Sequence, residues 1–165
     1  MKFQISCLLF IRDLSNRLLL IRRRKAPNFD TWSPPGGKLE MELGESPFEC
    51  AKREAFEEVA LTLPDKDLNL FGYVSEKAYE GNSHWLMFMF DCLIPLEQKP
   101  KEIDEGYFQF FDRTEINDLK IPPTDHKLVW PFYDRRTEGF WSIRSDCTHG
   151  VPHLEIEGNP SCNLL

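Results

Sequence analysis

Between Gly36 and Leu61 the chain reads GGKLEMELGESPFECAKREAFEEVAL, and seven of those twenty-six residues are glutamate. Carboxylates this dense repel one another unless something positive sits among them, so the stretch constrains fold and chemistry together. Its second half opens a helix. Ser46 is a capping residue, Pro47 suits the first helical position and Glu49 the third. From there Phe48, Ala51, Ala55 and Val59 recur at helical spacing and form an apolar face, while Arg53, Glu54, Glu57 and Glu58 occupy the other side. At about 100° per residue, Glu54 and Glu58 lie a turn apart with Glu57 beside them. Arg53 is within pairing distance of Glu57, but one arginine cannot neutralise three carboxylates. The ordinary reading of such a face is a solvated one. Two features oppose it: the cluster lacks the alternating signs of a stable exposed face, and the Gly36-Gly37 turn can fold back over the glutamates with its backbone oxygens.

Around this helix the pattern predicts mixed α/β order. Phe3 to Arg12 and Arg17 to Arg22 read as strands joined by a turn at Leu14-Ser15-Asn16, and Lys25 to Pro35 as a loop. Asp67 to Glu76 and Ser83 to Ile94 read as strands split by a turn at Glu80-Gly81-Asn82. The second is apolar enough to be buried on both faces. Gln98 to Gly106 is a charged loop, Tyr107 to Asp112 a strand, and Thr124 to Asp134 a short helix containing Pro131. Strands at Phe140 to Ile143 and His153 to Ile156 complete the order. Residues 1–158 are expected to form one domain, with 159–165 a fraying tail.

Composition removes several function classes. The net charge of −7 argues against a general nucleic-acid binder. No apolar run reaches eighteen residues, and the first twenty meet Arg12 and Asp13 too early for a secretory signal, so no membrane association is expected. Five scattered cysteines without a CxxC pair point to reduced thiols in a cytoplasm. Cys147, His149, His153 and Cys162 match no closed zinc-finger spacing.

The run Gly36-Gly37, Glu45, then Arg53-Glu54-Ala55-Phe56-Glu57-Glu58-Val59-Ala60-Leu61 resembles the box of the Nudix family, G-x5-E-x7-R-E-U-x-E-E-x-G-U. The approach from Trp32 to Gly37 fits as well. Two departures stand out: seven residues rather than five separate Gly37 from Glu45, and Ala60 replaces the penultimate glycine. The resemblance implies an α/β Nudix fold, a mixed β-sheet sandwiched between α-helices. It also implies hydrolysis of a phosphoanhydride in a nucleoside di- or triphosphate derivative, with Mg²⁺ or Mn²⁺ as cofactor. Glu54, Glu57 and Glu58 match the family's catalytic metal ligands, Gly36 would add a carbonyl, and Glu45 and Arg53 would support the helix. The general base stays open between these glutamates and Glu105 in a distant loop. Residue chemistry agrees, since hard oxygen donors suit Mg²⁺ and polyphosphate.

Candidate substrate contacts are Arg23, Lys38 and Asp125. Strand alternation in Arg22-Arg23-Arg24 sends Arg23 to the face opposite its neighbours; one face can meet phosphates and the other water. Ile121-Pro122-Pro123-Thr124-Asp125 with Trp130 resembles the base-reading segment of the branch that sanitises oxidised purine triphosphates, where Asp125 would take a purine edge. Equally, Asp125 can be a carboxylate favoured by a helix N-terminus. The expected partner is a small nucleotide. The branch resemblance implies an oxidised purine dNTP cleaved to NMP and pyrophosphate. ADP-ribose or a nucleotide sugar is the alternative, and a non-catalytic nucleotide-binding domain a third class. Oligomeric state, monomer or homodimer, is left open.

Overall fold

A computed structural model describes residues 2–26, 28–79, 81 and 83–158. The tail 159–165, and Glu80 and Asn82 of the expected turn, lie outside the described residues. Eight strands and three helices are present among them: β1 (Phe3–Phe10), β2 (Leu18–Arg23), β3 (Trp32–Ser33), α1 (Pro47–Val59), β4 (Leu68–Tyr79), β5 (Ser83–Cys92), β6 (Gly106–Phe111), α2 (Asp125–Leu128), α3 (Trp130–Asp134), β7 (Trp141–Asp146) and β8 (His153–Glu157). They build a mixed five-stranded sheet in the order β1-β5-β4-β7-β8 and an antiparallel three-stranded sheet, β3-β2-β6. In the larger sheet β1 runs parallel to β5 and β4 parallel to β7, while β4–β5 and β7–β8 are antiparallel.

Alternation along the first two strands explains why this architecture has two apolar layers. Cys7, Leu9 and Ile11 of the first strand segment, with Leu19 and Ile21 of β2, join the cluster beneath α1 that includes Ala51, Ala55 and Phe90. Phe10, Leu18 and Leu20 point the other way, into the cluster that includes Trp130, Phe132 and Met89. Helices therefore cover both sides, as the fold class requires. The expected turn between the first two strands is formed, with Asn16 at φ 64° and the Asp13 N–H donating to the Arg17 carbonyl. Beyond it the two strands separate into different sheets, which no local pattern shows.

Two expectations need correction. β5 is buried at Met89–Cys92 but only half-buried from Ser83 to Phe88. Its apolar side chains there face an open cleft on one side and an uncovered part of the sheet on the other. The helix expected over Thr124 to Asp134 breaks at Val129 (φ −115°, ψ −63°) into α2 and α3, because Pro131 cannot donate back into a continuous helix. No helix among the described residues is long and apolar enough to cross a membrane.

Candidate active site

The segment after β3 runs along the free edge of β1. Leu9 N–H donates to Pro35 O at 2.8 Å, Cys7 N–H to Gly37 O at 2.9 Å and Leu39 N–H to Ile5 O at 3.0 Å. These bonds pin Gly36 and Gly37 against the sheet, directly over α1. Both glycines are required by close approach. A Cβ on Gly37 would fall 2.5 Å from the Glu54 carboxyl carbon, with Oε1 nearer still; one on Gly36, at φ +136°, would meet the Cys7 carbonyl.

Helix α1 starts as its sequence predicts. The Glu49 N–H donates to the Ser46 hydroxyl and the Ser46 N–H to the Glu49 carboxylate, a complete capping box. Its C-terminus turns on Ala60 in the left-handed conformation at φ 55°, where the family's box has glycine. The two extra residues before α1 are taken up by an exposed 3₁₀ turn, Met41–Leu43, closed by Gly44 at φ 67°. Glu45 consequently keeps its place beside the helix.

Arg53 organises the carboxylates. Its Nε and Nη2 clamp Glu45 at 2.7 and 3.0 Å, its Nη1 donates to Glu54 at 2.7 Å and Glu57 at 3.1 Å, and Nη2 also reaches the Lys38 carbonyl at 3.0 Å. One guanidinium thus serves three carboxylates and ties the glycine loop to the helix. Glu58 is outside its reach and accepts instead from the Gly36 N–H at 2.8 Å. The contact Gly36 makes with Glu58 is through its amide, not its carbonyl.

The electrostatics are uneven. Arg53 holds Glu45 below the usual carboxylate range. Glu54 is raised because burial outweighs the arginine, and burial pushes Glu58 up to about 8, with the Glu54 charge adding to it and Arg23 opposing. As the side chains stand, with Glu54 and Glu57 turned to Arg53, no three acidic, His or Cys groups among the described residues converge on a metal position. The donor set still fits a hard cation in kind: Glu54 and Glu58 are desolvated carboxylates whose present partners do not fully offset burial, and Gly37 leaves Glu54 room that any side chain would fill.

On the other side of the same glycine turn lies a cleft of about 120 Å³. Arg23, Gly36, Lys38 and Asp125 all line it, so the structure brings together the three expected substrate contacts and the glycine turn. Arg22 and Arg24 are engaged elsewhere, Arg22 with Asp30 and over Trp32, Arg24 with Glu102 and over Tyr107. The Lys38 ammonium stands 5.4 Å over the Trp85 ring. Glu105 is half-exposed, 3.9 Å from the Lys25 ammonium, and close enough for its charge to be felt at Glu58. Asp125 is the first residue of the four-residue α2 and is buried, and burial raises its carboxyl to about 8.

Sequence reasoning missed Glu76, Ser33 and Asn28 as lining residues. A signal for Glu76 existed: it occupies the inward register of β4 between Val74 and Ala78, where a charge is out of place. Cys147 faces Glu76 (Sγ to Oε1, 3.8 Å), and His149 and His153 are exposed; they form no metal group among the described residues. Cys162 lies outside them.

Comparison with known proteins matches the NUDIX domain model to residues 2–134. The uncharacterized Nudix hydrolase YvcI of Bacillus subtilis (strain 168) is 31% identical over 120 residues, covering 72% of this chain and 73% of the relative. Among solved structures, a MutT protein from Bacillus halodurans superimposes with a TM-score of 0.73 at 23% identity, covering 95% of this chain and 99% of that one. The NUDIX domain of Shewanella oneidensis NrtR, complexed with ADP ribose, gives 0.65 at 15% identity, covering 83% and 88%.

Proposed function

Since this chain belongs to the Nudix hydrolase family, whose members cleave phosphoanhydride bonds in nucleoside diphosphate derivatives, we propose that it is a Mg²⁺- or Mn²⁺-dependent pyrophosphohydrolase of a purine nucleoside triphosphate. Oxidised purine dNTPs are included, the products being NMP and pyrophosphate. One observation carries the reading: the glycine turn that covers Glu54 and Glu58 also lines the cleft holding Arg23, Lys38 and Asp125.

Glu54, Glu57 and Glu58, with the Gly36 carbonyl, would hold the cation. When bound, a divalent ion supplies charge neutralisation for the polyphosphate and polarises its phosphoryl oxygens. Arg53 keeps Glu45 and the Lys38 carbonyl fixed, so the ligand helix and the glycine loop hold one relative position. Arg23 meets the phosphate chain with its planar donor fork and Lys38 as a point charge, positive groups that an acidic protein otherwise lacks at this position. Asp125 accepts from the base. One of Glu54, Glu57 and Glu58, or Glu105 from the distant loop, takes the proton from the attacking water. The free thiols Cys7, Cys50, Cys92 and Cys147 support a cytoplasmic setting.

The test is a nucleotide screen with Mg²⁺ and mass identification of products. Release of pyrophosphate and NMP from purine triphosphates is expected. Activity confined to ADP-ribose, the ligand of the Shewanella oneidensis neighbour, or to nucleotide sugars overturns the triphosphate assignment. Full turnover in excess EDTA overturns the metal.

A further inference from the structure

Glu76 has no part in the reading above. It is 2% exposed and lines the cleft together with Asp125, which is 8% exposed. Among the described residues the one donor to Glu76 is the Cys147 thiol, a weak one, and no side chain donates to the Asp125 carboxyl. Ser33, 7% exposed and lining the same cleft, has a hydroxyl with no partner among the described residues. Buried polar groups are normally paired, so unpaired ones gathered on one cavity are complementary to a ligand that brings the missing partners. Among the described residues no basic side chain hydrogen-bonds the two carboxyls as Arg53 does Glu45. Burial pushes Glu76 up to about 7 and Asp125, beside that charge, to about 8.

We propose that Glu76 is a specificity-determining residue of this cleft: with Asp125 it makes a two-carboxyl pocket that selects a nucleobase presenting two adjacent donors, the ring N–H and exocyclic amino group of a guanine-type edge. Each carboxyl keeps an acceptor oxygen even when it holds a proton, and two such acceptors side by side are matched by two donors. A base lacking the amino group leaves one carboxyl buried and unpaired, which weakens its complex. Trp85 and Met87 line the same cleft and offer apolar surface to the faces of the ring. The inference rests on Asp125 standing at the base, as argued above, and adds a residue from a different strand and a definite edge.

Two nucleotides that differ only in the 2-amino group, dGTP and dITP, test it. Wild-type kcat/KM is expected to favour dGTP by about tenfold or more, and Glu76→Leu, which removes both acceptor oxygens, to bring the ratio within about threefold. Glu76→Asp, which keeps the acid but withdraws its oxygens, serves should the leucine variant not fold; it is expected to lower the ratio too. A wild-type ratio near one, or a ratio unchanged in a folded variant, overturns the proposal and leaves the hydrolase reading standing. Absence of hydrolysis of both bears on which purine triphosphate is the substrate, oxidised forms included, and leaves the pocket to a binding measurement. Calorimetry with dGMP and dIMP then decides: a tenfold difference in Kd that Glu76→Leu abolishes sustains the pocket, and equal Kd values overturn it.

Discussion

Gly36 and Gly37 are adjacent, yet alanine at each should fail in a different way. A Cβ on Gly37 would stand 2.5 Å from Glu54 Cδ and 2.8 Å from Oε2. Carbon–oxygen contacts need roughly 3.3 Å, so the carboxylate must retreat by about 1 Å. That retreat breaks its 2.7 Å bond to Arg53 but moves only the end of a flexible side chain. Stability should fall by at most about 1 kcal/mol, roughly 3 °C in Tm, while kcat falls about 10²-fold through a misplaced ligand. At Gly36 the obstacle is backbone: a Cβ would lie 3.0 Å from the Cys7 carbonyl carbon and 3.3 Å from Leu8 Cα, at φ +136°. The β1 edge cannot yield, so Gly36→Ala should cost about 3 kcal/mol, on the order of 10 °C. Thermal melts and Mg²⁺-dependent nucleotide hydrolysis read both quantities. If Gly37→Ala kept kcat within threefold of wild type, or lost as much Tm as Gly36→Ala, the placement of Glu54 under the turn would be wrong.

Glu57→Gln should cut kcat by roughly 10²-fold and barely move Tm, since its contact with Arg53 is half-exposed; near-wild-type turnover would remove Glu57 from the metal set. Ala60→Gly should raise stability by about 0.5–1 kcal/mol, because alanine sits at φ 55° where glycine has no Cβ penalty; an unchanged or lower Tm would refute that account. Asp125 titrates near 8 when folded and near its ordinary 3.8 when unfolded, so the native state holds the extra proton. Its contribution is complete below about pH 4 and is lost as pH rises through 8, at about 1.4 kcal/mol per pH unit in between. Urea unfolding at pH 5.5 and 7.5 should show wild type weakening with pH more steeply than Asp125→Asn, and parallel slopes would contradict the burial argument.

Local information made part of this molecule legible. The capping box at Ser46 and Glu49, the span of α1 and the register of Arg53, Glu54, Glu57 and Glu58 follow from spacing within one helix, where 3.6-residue periodicity alone decides which side chains are neighbours. The alternation of Arg22, Arg23 and Arg24 likewise placed Arg23 apart from its neighbours before any partner was known. What spacing along the chain cannot carry is which faces meet. The divergence of β1 and β2 into separate sheets, the half-exposed first part of β5, the break at Val129 and the clamp from Arg53 to Glu45 and the Lys38 carbonyl all depend on segments packed from elsewhere. The cleft shows the limit most sharply. Glu76 on β4 and Asp125 at the start of α2 become neighbours only when a sheet and a later helix close over the same space. Periodicity in the sequence assigns a residue to a face, whereas the desolvation that makes a buried carboxyl significant is a property of whatever distant segment covers that face.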